Sequence, residues 1–263
     1  MVFLSIDKLK SEANPHRSVL SVDVGLTNLA ICWLENTTDK VWKIHYWKVI
    51  DLNTQHSPDT HCSHICKNKK PCKRNAVMIM SEDRPVCKQH GPKTSKTDCK
   101  SISTSREVLQ KTVHNAIKYL KAFLVENCKD LEAITECVIE KQPLKSTALQ
   151  TMSHVLYTLF VEHFGTEVPI YMTPAYNKTI HISGLISPPK ASKGRAGYKQ
   201  RKQNGVMTAQ KVIEHWDNLL HVTDMSSEGI TKLKSNKGKL DDYADSFLQA
   251  LFAITNNRLS TPK

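Results

Sequence analysis

No apolar stretch in this 263-residue chain approaches the roughly 18–20 residues that a membrane-spanning helix requires. The first residues, MVFLSIDKLKSEANPHRS, lack a long apolar segment and carry acids early, so neither a secretory signal nor a transit peptide is expected. No internal repeat is evident. The standard paired CxxC spacing of zinc ribbons is missing, although the chain has eight cysteines. Five of those eight fall between Cys62 and Cys99, interleaved with histidines. Such local clustering without a secretory signal favours metal over disulfides. These absences describe a soluble protein of a reducing, intracellular compartment with no membrane partner.

What is present is basic charge. There are 37 Lys+Arg against 25 Asp+Glu, a formal net charge of +12, and a hydrophobic fraction of 40%. The hydrophobic fraction is that of a globular chain, long enough for a proper core in one large domain or in one domain with an inserted module. The charge favours a polyanionic partner, nucleic acid before a membrane surface.

Along the chain, SVLSVDVG (18–25) has the composition of a buried strand ending in a glycine turn. LAICWLE (29–35) and VWKIHYWKVI (41–50) follow as hairpin-linked strands. Residues 51–101 change character, with ten Lys/Arg against three Asp/Glu from 61 to 100 and few long aliphatics. This segment is expected to be an insertion with its own fold. Leu109, Val113, Ile117, Leu120 and Leu124 then give 103–127 an apolar face at helical spacing. Residues 133–142 and 168–174 are expected as strands, and 153–164, 206–216 and 239–256 as helices. The order β-β-β, insertion, α-β-α-β-α-α makes an α/β layered domain.

Acids occupy unusual places on this frame. Asp23 lies in an apolar strand, where a charge is costly unless it is paired or metal-bound, and Glu140 ends a second apolar strand in CVIEKQ. KLDDYADSFLQAL (239–251) places Asp242 and Asp245 three apart, on one face of a helix. Each acid alone has a plain reading: Asp23 as a turn residue before Gly25, Glu140 as an edge-strand acid, the DDYAD acids as complements to a helix dipole. Jointly, four carboxylates on rigid supports suit divalent metal with oxygen ligands, Mg²⁺ or Mn²⁺. A pair of such ions can activate water and stabilise the leaving oxygen of a phosphodiester.

SVDVGLTNLAICWLE, VIEKQP, YKQRKQNGV and KLDDYADSFLQAL, in that order, resemble the RuvC-type Holliday junction resolvases, especially the poxvirus-type branch of large DNA viruses. The resemblance spans residues 18–256 apart from 51–101. It implies an RNase H-like fold, a mixed five-stranded sheet flanked by helices, here with a small inserted zinc-binding module. The implied organisation is an extension at 1–17, a nuclease domain at 18–50 and 102–257, the module at 51–101 and a tail at 258–263. The resemblance also implies that Asp23, Glu140, Asp242 and Asp245 are catalytic and hold two Mg²⁺ per site. It further implies a homodimer, paired nicks across a four-way junction, and 5′-phosphate and 3′-hydroxyl ends. A viral protein of this kind would work in a cytoplasmic factory or the nucleus. Asp241 has no counterpart among the ligands and is taken as a helix-start acid.

The stretch 188–205 has six Lys/Arg, three glycines, two prolines and no acid, and is expected to be flexible until its end. Lys199, Arg201 and Lys202 are its expected phosphate contacts, and Tyr198 could stack on an unpaired base. Asn28 and Gln142 are expected to orient substrate or metal ligands. In the cysteine island, Cys62, Cys72, Cys87 and His90 are the first choice of zinc ligands, with Cys66 as the substitute for Cys62. The island is expected to add grip on DNA. DVGLTN also resembles the phosphate loop of the actin-like ATPases, but no second such loop or later glycine pair accompanies it. A nuclease for flaps, forks or RNA–DNA hybrids and a non-catalytic junction binder are the remaining alternatives.

Overall fold

The computed structural model describes residues 16–37, 41–52, 62–66, 68, 70–72, 78–80, 84–91, 99–101, 105–127, 131–143, 146–175, 194–216, 220–222, 227–236 and 239–255. The expected extension before residue 16, the tail at 258–263 and residues 188–193 of the basic stretch lie outside them. The chain divides into two compact units, one of residues 1–51 with 116–263 and one of 52–115.

In the larger unit, strands β1 (Arg17–Val24), β2 (Asn28–Asn36) and β3 (Trp42–Asp51) form an antiparallel meander. Strand β7 (Glu136–Lys141) joins β1 in parallel, and β8 (Ile170–Pro174) joins β7 in parallel. These are the five expected strands of the mixed sheet. A sixth strand of three residues, β9 (Leu220–Val222), pairs parallel to β3 at the far edge and had no signal in the sequence because it is so short. The order is β8-β7-β1-β2-β3-β9.

The centre of the sheet is buried on both faces, so β1 and β2 are almost continuously buried and carry apolar residues on both sides of the strand. Helix α2 (Thr147–Phe164) lies against β7, β1 and β8, burying Met152, Leu156 and Phe160. Helix α1 (Ser105–Glu126) sets Phe123 against Tyr46, ring centroids 4.6 Å apart. Helices α3 (Gly194–Trp216), α4 (Ser227–Ser235) and α5 (Asp241–Thr255) share a core with Val19, Cys32, Leu34, Ile44, Trp47 and Val138 of the sheet. Helix α4 had been missed in the sequence. It approaches Trp47 so closely at Gly229 that a Cβ there would overlap the indole.

The start of α3 differs from expectation. The basic stretch is helical from Gly194, which adopts a positive φ of 78°. Beyond it lie residues such as Ala196, Lys199, Gln200, Arg201, Lys202 and Gln203, which are good helix formers. Their propensity outweighs Gly197 and Gly205, so Tyr198, Lys199, Arg201 and Lys202 stand on a helix.

Helix α5 is pinned at both ends. Trp47 Nε1 donates to the Tyr243 carbonyl (3.1 Å) and its ring stacks on Phe247 at 4.9 Å. Tyr243, Phe247, Leu248 and Leu251 are buried, as an anchoring role requires. At the other end Arg17 donates from Nε to Glu136 (2.7 Å) and from a terminal nitrogen to the Ile254 carbonyl (3.0 Å). Burial raises the Glu136 carboxyl above its usual range, more than Arg17 beside it lowers it. This buried charge pair fixes the register of β1, β7 and α5 at the end of the sheet away from the acids.

The smaller unit holds a three-stranded sheet, β5 (Arg84–Val86), β4 (Met78–Met80) and β6 (Cys99–Ser101), in the order β5-β4-β6. Its described core is small: Cys62, Cys72, Val86 and Cys87, with Cys66 and Met80 against them.

Candidate active site

Register and pleat place the acids. Val22 pairs with Ile139 across the parallel β1–β7 ladder, so the next residues, Asp23 and Glu140, share the opposite face of the sheet. That face is the one covered by α5, since Val19 and Val138, on the same sides of their strands, pack against it. Asp23 also pairs with Ala30, which puts Asn28, two residues earlier on β2, on the same face. The turn between them is tight: Gly25 N–H donates to the Asn28 carbonyl at 2.9 Å. A Cβ at Gly25 would lie 2.8 Å from that carbonyl oxygen, so only glycine fits.

From the helix side, Asp242 opens α5 with 8% exposure. Asn28 Nδ2 donates to its carboxylate at 2.5 Å and Lys239 Nζ at 2.7 Å. The first bond ties the strand β2 wall to the helix wall. Asp245 follows one turn later, and a Cβ at Gly205 of α3 would sit 4.0 Å from its carboxylate. Gln142, buried at the end of β7, donates to the Val24 carbonyl at 3.3 Å and so bridges the strand ends that carry Asp23 and Glu140. Asp23 and Glu140 thus lie on the sheet face that α5 covers, Asn28 joins that face to Asp242, Gln142 bridges the strand ends, and Asp245 stands one turn on beside Gly205 of α3. Among the described residues, the ligand atoms that converge closely enough to share one metal ion are those of a Cys/His group in the smaller unit and not these four carboxylates.

Asp241 points elsewhere and forms an ion pair with Lys202 of α3. Partial burial works to lower the Lys202 ammonium, but the hydrogen bond and charge of Asp241 outweigh it and the net shift is upward. Lys202 also lies 5.5 Å from the ring centroid of Tyr198, which is 52% exposed. Lys199 and Arg201 are exposed on the same helix.

Two residues escaped the sequence reading. Lys239 had a signal, since it stands three positions before Asp242 on the chain. Gln249 interrupts the apolar run SFLQALFAI four residues after Asp245, on the acid-bearing face of α5. It is buried, and neither atom of its amide has a hydrogen-bond partner among the described residues. It lines a crevice with Glu140, Thr173, Pro174, Ala175 and Phe252.

Comparison with solved structures bears on this arrangement. The crystal structure of Ydc2, the yeast mitochondrial Holliday junction resolvase, aligns with a TM-score of 0.51 at 12% identity, over 95% of this chain and 85% of that one. The chain shares the fold of that protein. Thermus thermophilus RuvC in complex with a Holliday junction substrate aligns with a TM-score of 0.43 at 11% identity, over 94% of this chain and 98% of that one. No family model and no curated protein sequence matches. On this fold the acids stand at the ends of β1 and β7 and in the first turns of the last described helix.

The smaller unit brings together Cys62, Cys72, Cys87 and His90, whose ligand atoms all lie within 4.8 Å of one another. His90 Nδ1 is 3.4 Å from Cys62 Sγ and 3.5 Å from Cys87 Sγ. A tetrahedral zinc site with Zn–S about 2.3 Å and Zn–N about 2.05 Å spaces its S and N ligands about 3.5 Å apart. The cluster could hold zinc. A turn at 87–91, with the His90 and Gly91 amides donating to the Cys87 carbonyl at 3.0 Å, folds the histidine back over the cysteine. Burial works to raise the Cys87 thiol, but the backbone amides of Gln89 and His90 and the Cys62 and Cys72 thiols hold it down at about 7. Cys66 packs beside the four without joining them, and His64 stacks on His90 at 3.8 Å.

Proposed function

We propose that this chain is a divalent-metal-dependent endonuclease that resolves four-way DNA junctions. The observation that carries the reading is Asp242. It is a nearly buried carboxylate, held by Asn28 and Lys239, at the point where α5 meets the sheet face bearing Asp23 and Glu140. A carboxylate cluster on rigid supports is costly unless cations balance it.

The donor set suits Mg²⁺ or Mn²⁺, hard ions that take carboxylate oxygens. The orphaned Gln249 amide adds an unused polar group beside Glu140. Asp23, Glu140, Asp242 and Asp245 would hold two ions. When bound, the metals would supply an activated water and charge stabilisation at the scissile phosphate. The chain's own residues prepare the rest. Asn28 and Lys239 fix the Asp242 carboxylate, and Gln142 keeps the β1 and β7 ends in step. Lys199, Arg201 and Lys202 neutralise DNA phosphates, giving affinity and salt dependence. Two coordinated nicks need two centres, and the described residues of one chain supply one such set, so the working form is read as a homodimer. The poxvirus-type branch fits the order of the sequence motifs.

Zinc belongs to the same reading as a structural ion in the 52–115 unit, held by Cys62, Cys72, Cys87 and His90. The basic composition of residues 61–100, ten Lys/Arg against three acids, suits a further DNA contact.

The deciding experiment incubates the protein with labelled four-way junction, flap and duplex DNA, in Mg²⁺ and in chelator. Paired nicks confined to the junction and dependent on metal are expected. Preferential cutting of flaps or RNA–DNA hybrids would move the substrate assignment while keeping the chemistry. No cutting of any substrate in Mg²⁺ or Mn²⁺ would overturn the nuclease reading.

A further inference from the structure

Beside the acids, α3 and the segment entering α5 enclose a groove of about 850 Å³. Its apolar lining comes from Val206, Met207 and Leu240, and Tyr198 presents a ring that is 52% exposed. Lys199, Lys202 and Lys239 also line it, against the single carboxylate of Asp241, so the groove is net positive. Gln203 adds an amide. Apolar and aromatic walls, several cations and a few hydrogen-bonding groups match the chemistry of one nucleotide: a flat base, a polar edge and an anionic phosphate.

We propose that this groove binds an unstacked nucleotide of the DNA, its base against Tyr198 and its phosphate beside the lysines. The proposal rests on the nuclease reading only in taking DNA as the ligand. The groove adjoins the acids through Lys239, which lines it and donates to Asp242. A captured nucleotide would therefore lie close in the chain's own frame to the bond being cut. A continuous duplex offers no such base, since extraction costs a few kcal/mol of stacking and pairing. The groove thus favours branch points.

The test uses four-way junctions carrying 5-iodouracil near the crossover, irradiated in chelator so that no cutting intervenes, with crosslinks mapped by mass spectrometry. Crosslinks to Tyr198 are expected. Tyr198→Ala should weaken junction binding about tenfold, in line with the loss of one stacked base. Duplex binding should be unchanged, and Tyr198→Phe should restore the junction preference. Crosslinks only outside the groove, or equal losses on junction and duplex, would overturn the proposal. Wild-type protein that crosslinks through Tyr198 yet never cuts in metal would sink the nuclease reading and leave the groove standing.

A separate observation concerns Gln249. A buried amide with both polar atoms unpartnered weakens the fold, because each unmet group costs about 1–3 kcal/mol. We infer that Gln249 is a positioning residue for Glu140, its amide aligning that carboxylate in the metal-loaded centre. This rests on the metal reading. Gln249→Met, similar in shape and free of polar atoms, should raise the melting temperature of the metal-free protein. The same variant should weaken Mn²⁺ binding by calorimetry about 10–100-fold, the usual effect of losing a partner to a metal ligand. A purely structural role predicts the reverse on stability, so a lower metal-free melting temperature or unchanged Mn²⁺ affinity overturns the inference. Wild-type protein that binds no Mn²⁺ overturns the metal centre itself, and this role with it.

Discussion

Asp242→Asn is expected to abolish junction cleavage, by on the order of 10³-fold, the upper range for removing one transition-state contact, while junction binding persists. The substitution changes little else. Asn28 and Lys239 both donate to the carboxylate, and an amide oxygen can accept both bonds. What disappears is one negative charge from the set of Asp23, Glu140, Asp242 and Asp245, and with it a hard anionic ligand. Nicking of labelled junction in Mg²⁺ measures the first effect and gel shift in chelator the second. Asp241→Asn is the matched control, because Asp241 is engaged with Lys202 and is not in the set. It should keep cleavage. Full activity in Asp242→Asn would refute the site, and equal loss in both variants would point to the helix start rather than to the metal.

Removing the zinc proposed for the Cys/His cluster should have an effect as large, confined to the smaller unit. That unit's described core is four residues, three of them cysteines, so apolar burial alone supplies little stability. Structural zinc contributes about 10–16 kcal/mol of apparent free energy in small modules, enough to decide whether such a unit folds. Cys87→Ser, Cys72→Ser or His90→Ala should therefore lose one zinc per chain by elemental analysis. Hydrogen-exchange protection should vanish at β4, β5 and β6 while β1, β2 and β7 keep theirs. Cys66→Ser should retain the metal, since Cys66 lies outside the four converging ligands. Loss of zinc in Cys66→Ser, or its retention in Cys87→Ser, would contradict the ligand set.

Much of the frame was legible because its signals are local. Short apolar-rich segments bounded by turn residues marked β1 and β7, alternation marked β2 and β3, and the 3.6-residue period marked α1. The four carboxylates of the candidate site stood out as well, Asp23 and Glu140 as charges in apolar strands and Asp242 and Asp245 as acids three apart at the head of an apolar helix. Two helical features were misjudged. Glycines at 194, 197 and 205 suggested a loop, yet Gly194 serves as the helix start and Gly205 is buried within the helix near Asp245. Helix α4 is short and polar enough to resemble linker, and its place is set by contact with Trp47 rather than by its own pattern.

The sequence by itself determined the kinds of residue available: four carboxylates on regular elements, a basic segment without acids, and a cluster of cysteines and histidines. Composition and period suffice for that, because they act within a turn or a strand. Only the tertiary structure decided which of these groups meet. Parallel pairing of β1 with β7 set Asp23 beside Glu140, and the Trp47 and Arg17 anchors on α5 brought Asp242 to Asn28. The same packing turned Asp241 toward Lys202 and chose Cys62 over Cys66. Those choices depend on contacts between residues about 30 to 240 positions apart, which no local pattern encodes.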